Sequence, residues 1–303
     1  MLKKKISIFQ ANGLGNQLFI ACISIYYSNK NYKVNLIFNR NNRARDSNYL
    51  LDLLDKSGKF KWKSNKNFVY FFRVKIFIFL SKKIYKKGKI LSLFRIFFEE
   101  NTYRFDDKLL KLPNKSVIFG TYTNAKYVDK IWPENQDLFS DWLKSIYLPL
   151  EYSNQEMHIT LHVRRGDTLD QKSKVFQNLG LLSETYYLNA INYLNQKYST
   201  EKLKIVIVTD NLDLVKKEFN KINYSRLIGE NDVTSLQALK FLSISKFFVG
   251  CNSTFSWWAG KFSKELYHNH VVMPIQWSRN NNPLIDQALV ISGVDLIDSV
   301  FIP

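Results

Sequence analysis

Cysteine is scarce in this sequence. Only Cys22 and Cys251 occur among 303 residues, each within an apolar stretch and far from the other. Two distant cysteines do not make a disulfide framework, so we expect two buried thiols in a protein of a reducing compartment.

Long apolar runs are also missing. Nothing approaches the roughly 18 consecutive apolar residues that a membrane-spanning helix requires. The first residues combine lysines with apolar side chains, as a signal peptide does, but Gln10, Asn12, Asn16 and Gln17 interrupt that run and no small-residue cleavage pattern follows. Because 46% of the residues are hydrophobic and 15% aromatic, we expect a globular, cytoplasmic protein with sizeable cores.

Acidic residues are outnumbered by basic ones, 26 against 44, and the formal net charge is +18. Such a charge attracts a polyanion, an anionic membrane surface or a phosphorylated small molecule. Residues 59–98 contain 12 Lys and Arg, 12 aromatic residues and no Asp or Glu. This segment is either an insertion with an apolar core-facing side and a solvated basic side, or a patch that contacts an anionic membrane peripherally, and both descriptions can hold together.

The chain begins with an alternation of strand and helix patterns. The apolar segment Ile6–Gln10 runs into "ANGLGNQLF", and the following residues carry apolar side chains at helical spacing. The segment "YKVNLIF" then reads as a second strand. This order predicts a βαβ unit and a parallel sheet.

The second half repeats the alternation. The polar stretch "EYSNQEM" follows Pro149 and precedes the strand pattern "HITLHV", so we predict a boundary between domains 1–152 and 153–303. Later strand patterns, "KIVIVTD", "KFFVG" and "HVVMP", are separated by helical patterns. The predicted fold class is therefore α/β, and its doubly wound sheet would bind ligands at the carboxyl ends of the strands.

Two arginines follow a strand pattern in "HVRRGD". Arginine presents a planar fork that matches phosphate oxygens, so Arg164 and Arg165 at a strand end predict an anion site. The alternative is an ordinary ion pair between one arginine and Asp167. Because consecutive residues of an extended segment point to opposite faces, we expect one arginine to touch a ligand and the other to brace Asp167.

A second cluster, "GCNSTFSWWAG", follows the strand pattern "KFFVG" and enters an apolar helix. Asn252, Ser253 and Thr254 therefore stand where capping residues belong, at a helix start whose N–H groups attract anions. One cap needs one hydroxyl, whereas five consecutive positions, 250–254, are small or polar. This composition favours a phosphate-binding turn over a simple cap.

The turn "GLGNQ" near the N-terminus indicates less by itself. Many turns between a strand and a helix need a glycine only for positive φ. A dinucleotide fingerprint, G-x-G-x-x-G, would require glycine at the position of Leu18, and a Walker lysine loop is also absent.

Taken together, these segments resemble the bacterial and animal α-1,2-fucosyltransferases. The family's motifs occur in order as "GLGNQLF", "HVRRGD", "SETYYLNAI", "VIVTDNLD" and "NSTFSWWAG". The resemblance extends from Ile6 to about Trp277, although residues 59–112 contain no motif. It implies a GT-B-type glycosyltransferase with two Rossmann-like domains facing across a cleft.

The resemblance also implies a reaction and its residues. GDP-fucose would be the donor, and the 2-hydroxyl of a galactoside would be the acceptor. Because the basic aromatic segment 59–98 suits an enzyme that meets a lipid-linked acceptor at the membrane, we expect that galactoside in a surface glycan, an O-antigen or capsule. Arg164 would bind the diphosphate. Asp167 is our first candidate for a catalytic base, because it is the carboxylate nearest in sequence to the anion site. The remaining implied contacts are His162 on the nucleotide, Arg165 in support, Ser253, Thr254 and Phe255 on phosphate oxygens, and Asn16 and Gln17 on the sugar.

These enzymes are expected to need no metal or other cofactor. Arginines and backbone donors can stabilise the negative charge that develops on GDP. The sequence also lacks a clustered Asp-x-Asp that would hold a metal ion.

Two departures from the family pattern affect the donor assignment. Thr168 stands where members usually carry an aromatic residue, and Ala238 aligns with an aspartate. If that aspartate reads guanine in relatives, Asp232 or Gln237 must replace it here. A transferase of another nucleotide-activated sugar is therefore the alternative. A basic nucleic-acid-binding protein is a second one, but the basic excess is concentrated in one insertion and no nucleic-acid-binding module is recognisable.

Overall fold

The computed structural model describes residues 4–10, 13–38, 53, 95–99, 101–153, 157–166 and 174–302. Asp167, Thr168 and the basic segment 59–98, apart from residues 95–98, lie outside the described residues. The chain divides into two compact units, Met1–Glu134 and Asn135–Pro303.

The first unit contains a parallel sheet with the strand order β2-β1-β4-β3. The strands are β1 (Lys4–Gln10), β2 (Tyr32–Phe38), β3 (Ile96–Phe98) and β4 (Ser116–Phe119). The helices are α1 (Leu14–Asn29), a 3₁₀ turn (Asp107–Leu110) and α2 (Ala125–Asp129). The predicted βαβ unit is confirmed. Residues 96–98, assigned from composition to the insertion, form a strand of this sheet.

The core of the first unit lies between α1 and the sheet. Ile6 and Ile8 of β1 are fully buried, and α1 is buried over most of its length. Because its apolar side chains surround the helix axis, α1 is a core helix rather than an amphipathic surface helix.

The second unit contains a six-stranded parallel sheet with the order β10-β9-β8-β5-β6-β7. The strands are β5 (His158–Val163), β6 (Lys204–Thr209), β7 (Arg226–Ile228), β8 (Phe247–Val249), β9 (His270–Pro274) and β10 (Asp295–Ile297). The helices are α3 (Trp132–Ser145), α4 (Leu150–Ser153), α5 (Lys174–Leu179), α6 (Glu184–Tyr198), α7 (Leu212–Glu218), α8 (Ser235–Ile244), α9 (Thr254–Tyr267) and α10 (Pro283–Ala288). The predicted α/β fold class is confirmed in both units.

The strand order of the second unit determines where a ligand would bind. The chain adds β6 and β7 on one side of β5, then returns to add β8, β9 and β10 on the other side. This is the order of a doubly wound nucleotide-binding sheet, and its direction reverses between β5 and β8. Ligands of such sheets bind at the carboxyl ends of the two strands that flank the reversal.

Helix α3 explains why the units divide near its start. The ring of Phe139 packs 5.8 Å from the ring of Trp258 and 5.9 Å from that of Phe262. The Gln136 side chain donates to the carbonyl of Glu265 at 3.0 Å. The predicted boundary, between residues 152 and 153, lies within the polar stretch. The contacts of Gln136 and Phe139, in contrast, attach the preceding helix α3 to the second unit.

Both cysteines are buried and neither forms a disulfide, as predicted. Within the described part of the chain, no helix combines the length and low polarity needed to cross a bilayer.

Candidate functional site

The structure brings the two predicted anion-binding motifs together. Strands β5 and β8 are paired in parallel, with Leu161 opposite Val249. The segments that follow these two strands therefore leave the sheet at the same edge. Residues 164–166 follow β5, and residues 250–253 connect β8 to α9. The candidate site therefore lies at the reversal point of the sheet.

Three side chains form a buried network at this point. His162, at the end of β5, is 6% exposed, and its Nδ1 lies 2.6 Å from Oγ of Ser256. The Cys251 sulfur lies 3.5 Å from the same nitrogen and 3.3 Å from that oxygen. The imidazole ring also packs against Phe255, with 5.2 Å between ring centroids.

The hydrogen bonds of Ser256 restrict the roles open to His162. The backbone N–H of Cys251 donates to Oγ of Ser256 at 2.9 Å, so the serine has one proton left to donate. If the serine donates that proton to Nδ1, the neutral imidazole is protonated at Nε2. If it donates to the Cys251 sulfur instead, it accepts a proton from Nδ1. The first arrangement leaves His162 with an Nε2–H donor.

The same network acts on the Cys251 thiol. Burial raises the pKa of this thiol, but the charge of His162 and hydrogen bonds from His162, Ser256 and Ser253 outweigh burial and lower the pKa to about 7. The sequence predicts this cysteine as a buried thiol, which is confirmed, but it gives no sign of these neighbours.

Two tyrosines of helix α6 bind the backbone at the ends of strands β5 and β8. Tyr186 and Tyr187 are fully buried. The Tyr186 hydroxyl donates to the carbonyl of Gly250 at 2.8 Å, and the Tyr187 hydroxyl donates to that of His162 at 3.0 Å. Two successive residues of one helix thus hold the two loops of the candidate site in register.

Arg165 is a positioning residue within the second unit. Its side chain is 1% exposed and its Nε donates to Glu218 at 2.6 Å. Its two terminal nitrogens donate to the carbonyls of Arg164 and Leu182, each at 2.9 Å. The guanidinium also lies over the ring of Phe219, 5.3 Å from its centroid. These contacts hold the turn after β5 to helices α6 and α7.

Asp210, which directly follows β6, also binds the turn after β5. One of its carboxylate oxygens accepts the backbone N–H groups of Arg165, at 2.6 Å, and Gly166, at 2.9 Å. A Cβ atom at Gly166 would lie 2.8 Å from the other oxygen, so this position needs glycine. Arg164 itself is half-buried directly after β5.

The loop before α9 combines a helix cap with an anchor. The Ser253 hydroxyl accepts the backbone N–H of Ser256 at 3.1 Å, which confirms the predicted cap. The Asn252 amide donates to the carbonyls of Leu179, Gly180 and Trp277 at 3.0 to 3.3 Å. The first N–H groups of α9, at Thr254 and Phe255, point along the helix axis. The loop is thus rigid and presents a helix N-terminus at the site.

Asn16 and Gln17 lie in the first turn of α1, in the first unit. Gln17 is buried and Asn16 is half-buried. Gly13, at the cap, has φ of −72° and ψ of 174°, so it does not adopt the positive φ for which glycine turns are known.

The candidate replacements for the missing aspartate make local contacts. Ala238 is buried in α8. The Asp232 carboxylate accepts the N–H of Gly229 at 2.7 Å, and the Gln237 side chain accepts that of Thr234 at 2.9 Å in a capping box. Neither contact assigns a base-reading role.

Sequence reasoning missed several residues of this site. Ser256, Tyr186, Tyr187, Asp210 and Glu218 lie in quoted motifs or helical patterns, but their partners are far away in sequence. Only the hydroxyl at Ser256, next to two apolar tryptophans, carried a local signal, because a buried polar group needs a partner.

Comparisons with known proteins show a family and a curated relative. The model of the family "Glycosyl transferase family 11" matches residues 5–266. A curated relative, alpha-1,2-colitosyltransferase of Escherichia coli, is 28% identical over 125 residues, which are 39% of this chain and 40% of that protein. The chain thus matches well under half the length of this relative.

Two solved structures are similar at low identity. The family 9 glycosyl transferase from Veillonella parvula has a TM-score of 0.46 at 10% identity, covering 97% of this chain and 86% of that one. The ADP-heptose lps heptosyltransferase II of E. coli has a TM-score of 0.40 at 10% identity, covering 96% of this chain and 92% of that one.

The family match carries the assignment. It includes the strands β1 to β8, the turn after β5 and nearly all of α9, and therefore all the motifs on which the resemblance rests. Since it covers most of the chain, the protein belongs to glycosyl transferase family 11.

Proposed function

We propose that this glycosyltransferase transfers fucose from GDP-fucose to the 2-hydroxyl of a galactoside, with inversion at the anomeric carbon. One observation carries the proposal: the arginine turn after β5 and the capped N-terminus of α9 lie side by side at the reversal point of the sheet. Cationic and N–H donors are concentrated there, as a nucleoside diphosphate requires.

The proposed roles follow from these contacts. Arg164 binds the diphosphate, and Nε2–H of His162 and the N–H groups of Thr254 and Phe255 donate to its oxygens. Arg165 and Asn252 hold the two loops in position. Ser253 contributes through its cap, and the family resemblance implies that Asn16 and Gln17 contact the sugar.

In the reaction, the acceptor oxygen bonds to the anomeric carbon as the bond from that carbon to the β-phosphate oxygen breaks. GDP leaves with the bonding electrons, and its negative charge is stabilised by arginine and N–H donors without a metal ion. The acceptor proton passes to a base, for which Asp167 is our candidate.

The acceptor belongs, in this proposal, to a lipid-linked surface glycan, an O-antigen or capsule. The basic aromatic segment 59–98 would contact the anionic inner-membrane surface where such acceptors are found. A nucleic-acid partner is not part of this proposal.

A second candidate donor is a colitosyl donor. It is favoured by the match to alpha-1,2-colitosyltransferase, and it would use the same diphosphate contacts. The departures from the family pattern at Thr168 and Ala238 also concern which donor sugar the enzyme uses.

The test is release of the nucleoside diphosphate from a panel of GDP- and UDP-sugars in excess EDTA, with lactose or N-acetyllactosamine as acceptor. We expect acceptor-stimulated release from GDP-fucose, and its loss in Arg164→Ala. Arg226→Ala, at an exposed arginine of the same unit, is the matched control. Turnover of a different donor would replace fucose, whereas near-normal activity of Arg164→Ala would remove this arginine from the site.

A further inference from the structure

A carboxylate that the proposed reaction does not use lies at the carboxyl end of the first sheet. Glu99 directly follows β3, and its backbone N–H donates to the carbonyl of Phe119 at the end of β4, at 2.9 Å. Its Oε2 accepts the backbone N–H groups of Thr121, at 2.8 Å, and Tyr122, at 3.0 Å. The carboxylate is therefore fixed by backbone at the edge where parallel sheets bind ligands.

Three threonine hydroxyls form a chain of hydrogen bonds that ends at this carboxylate. The Thr102 hydroxyl lies 3.4 Å from Oε2 of Glu99 and 3.1 Å from the hydroxyl of Thr121. The Thr123 hydroxyl donates to that of Thr121, also at 3.1 Å. We call Glu99, Thr102, Thr121 and Thr123 the Glu99 cluster.

Two buried polar atoms, one in the Glu99 cluster and one on Tyr122, lack a hydrogen-bond partner among the described residues. Within the described residues, neither Oε1 of Glu99 nor the hydroxyl of Tyr122 forms a hydrogen bond. Leaving such atoms unsatisfied costs stability, and native proteins rarely do so without a functional reason. Tyr122 also has φ of 56°, in the left-handed region that bulky residues avoid.

The packing around Glu99 is tight. A Cβ atom at Gly120 would lie 2.7 Å from both Cβ and Oε2 of Glu99. Burial raises the pKa of Glu99 to about 7, against hydrogen bonds from Tyr122, Thr121 and Thr102 that lower it. Among the residues that the structure describes, the phenols of Tyr103, Tyr122 and Tyr127 interact with Glu99 electrostatically. Burial also raises the pKa values of these phenols, so they stay neutral.

We propose that the Glu99 cluster binds hydroxyl groups of the galactoside acceptor, with Oε1 of Glu99 accepting a hydrogen bond from one of them. An ionised carboxylate is a strong acceptor for a sugar hydroxyl, and threonine hydroxyls can both donate and accept. The inference rests on the proposed function and assigns its acceptor site to residues of the first unit.

The experiment is a calorimetric titration of the full chain with lactose and with N-acetyllactosamine, with and without saturating GDP. We expect Glu99→Gln to weaken lactose binding by about tenfold or more, because the amide replaces the charged acceptor. Asp107→Asn, at an exposed carboxylate of the same unit, should bind like the wild type. Affinity of the wild type should rise as the pH passes upward through about 7, and this rise should disappear in Glu99→Gln.

Unchanged lactose affinity in Glu99→Gln would overturn the proposal, as would a wild-type protein that binds neither sugar. If circular dichroism shows that Glu99→Gln is unfolded, Thr102→Val replaces it, with an expected loss of about threefold. GDP titration separates this inference from the proposed function. If the protein binds GDP and transfers fucose, but Glu99→Gln leaves the lactose affinity unchanged, only the proposed acceptor site is contradicted. If the protein does not bind GDP, the proposed function is contradicted.

Discussion

The Nδ1 atom of His162 and the Oγ atom of Ser256 are 2.6 Å apart, although the two residues are separated by 94 positions in the chain. The serine belongs to α9 and the histidine to β5, so this contact connects the strand to the helix whose N-terminus faces the candidate site. When the serine donates to Nδ1, the imidazole keeps its proton on Nε2.

Ser256→Ala should therefore weaken GDP binding by about tenfold, since Nδ1 of His162 and the N–H of Cys251 lose their shared partner. Nitrogen NMR of labelled histidine should show that Nε2 is no longer uniformly protonated. Ser263→Ala is the matched control, because Ser263 is buried on the same helix and, among described residues, its hydroxyl has no partner. Wild-type GDP affinity in Ser256→Ala would contradict the positioning role.

Arg165→Met should lower the free energy of unfolding by about 3 kcal/mol, because it leaves Glu218 and two carbonyls without their donor. Urea denaturation followed by circular dichroism measures this loss. Arg226→Met removes an exposed arginine whose ion-pair atoms are 3.9 Å apart and should cost less than about 1 kcal/mol. Equal effects of the two substitutions would mean that the Arg165 contacts contribute little.

Gly166→Ala should destabilise the protein by about 1–3 kcal/mol, since its Cβ would meet a carboxylate that two backbone N–H groups hold in place. In contrast, a Cβ at Gly13 would meet nothing within 4 Å, so Gly13→Ala should cost only the poorer capping by alanine, less than about 1 kcal/mol. Thermal unfolding of both variants tests the difference. A tolerated alanine at position 166 would show that Asp210 moves easily.

The Cys251 thiol should make stability depend on pH. Its pKa is about 7 in the folded protein and near 8.5 in an unfolded chain, so the folded state favours the thiolate. The resulting stabilisation is complete above about pH 8.5 and is lost as the pH falls through about 7. Between pH 9 and pH 6 the wild type should lose on the order of 2 kcal/mol more than Cys251→Ala, measured by urea unfolding. Parallel pH profiles would contradict the lowered pKa.

The alternation of strands and helices could be predicted because each long element carries its own pattern. The buried strands β6 and β9 contain continuous apolar runs, β5 alternates apolar residues with His and Thr, and α6 follows a helical period. In contrast, β7 and β10 have three residues each, lie at sheet edges and are only partly buried. Such short segments contain too few residues to show a period.

The location of the candidate site was also predictable, but its contacts were not. Parallel strands end at one edge, so motifs that follow β5 and β8 had to meet there. The partners of Arg165, in contrast, depend on how α6 and α7 pack. The sequence suggested Asp167, whereas the described partners are Glu218 and the carbonyls of Arg164 and Leu182.

The reversal of strand order has a consequence for folding during synthesis. Strand β5 can pair with β6 soon after both leave the ribosome, but β8 follows much later, and the contact between Thr160 and Ser245 already closes 85 residues of chain. The edge of β5 that later pairs with β8 stays open during this interval. Helix content should therefore recover first in refolding, and affinity for GDP should return only with the final pairing of β5 and β8.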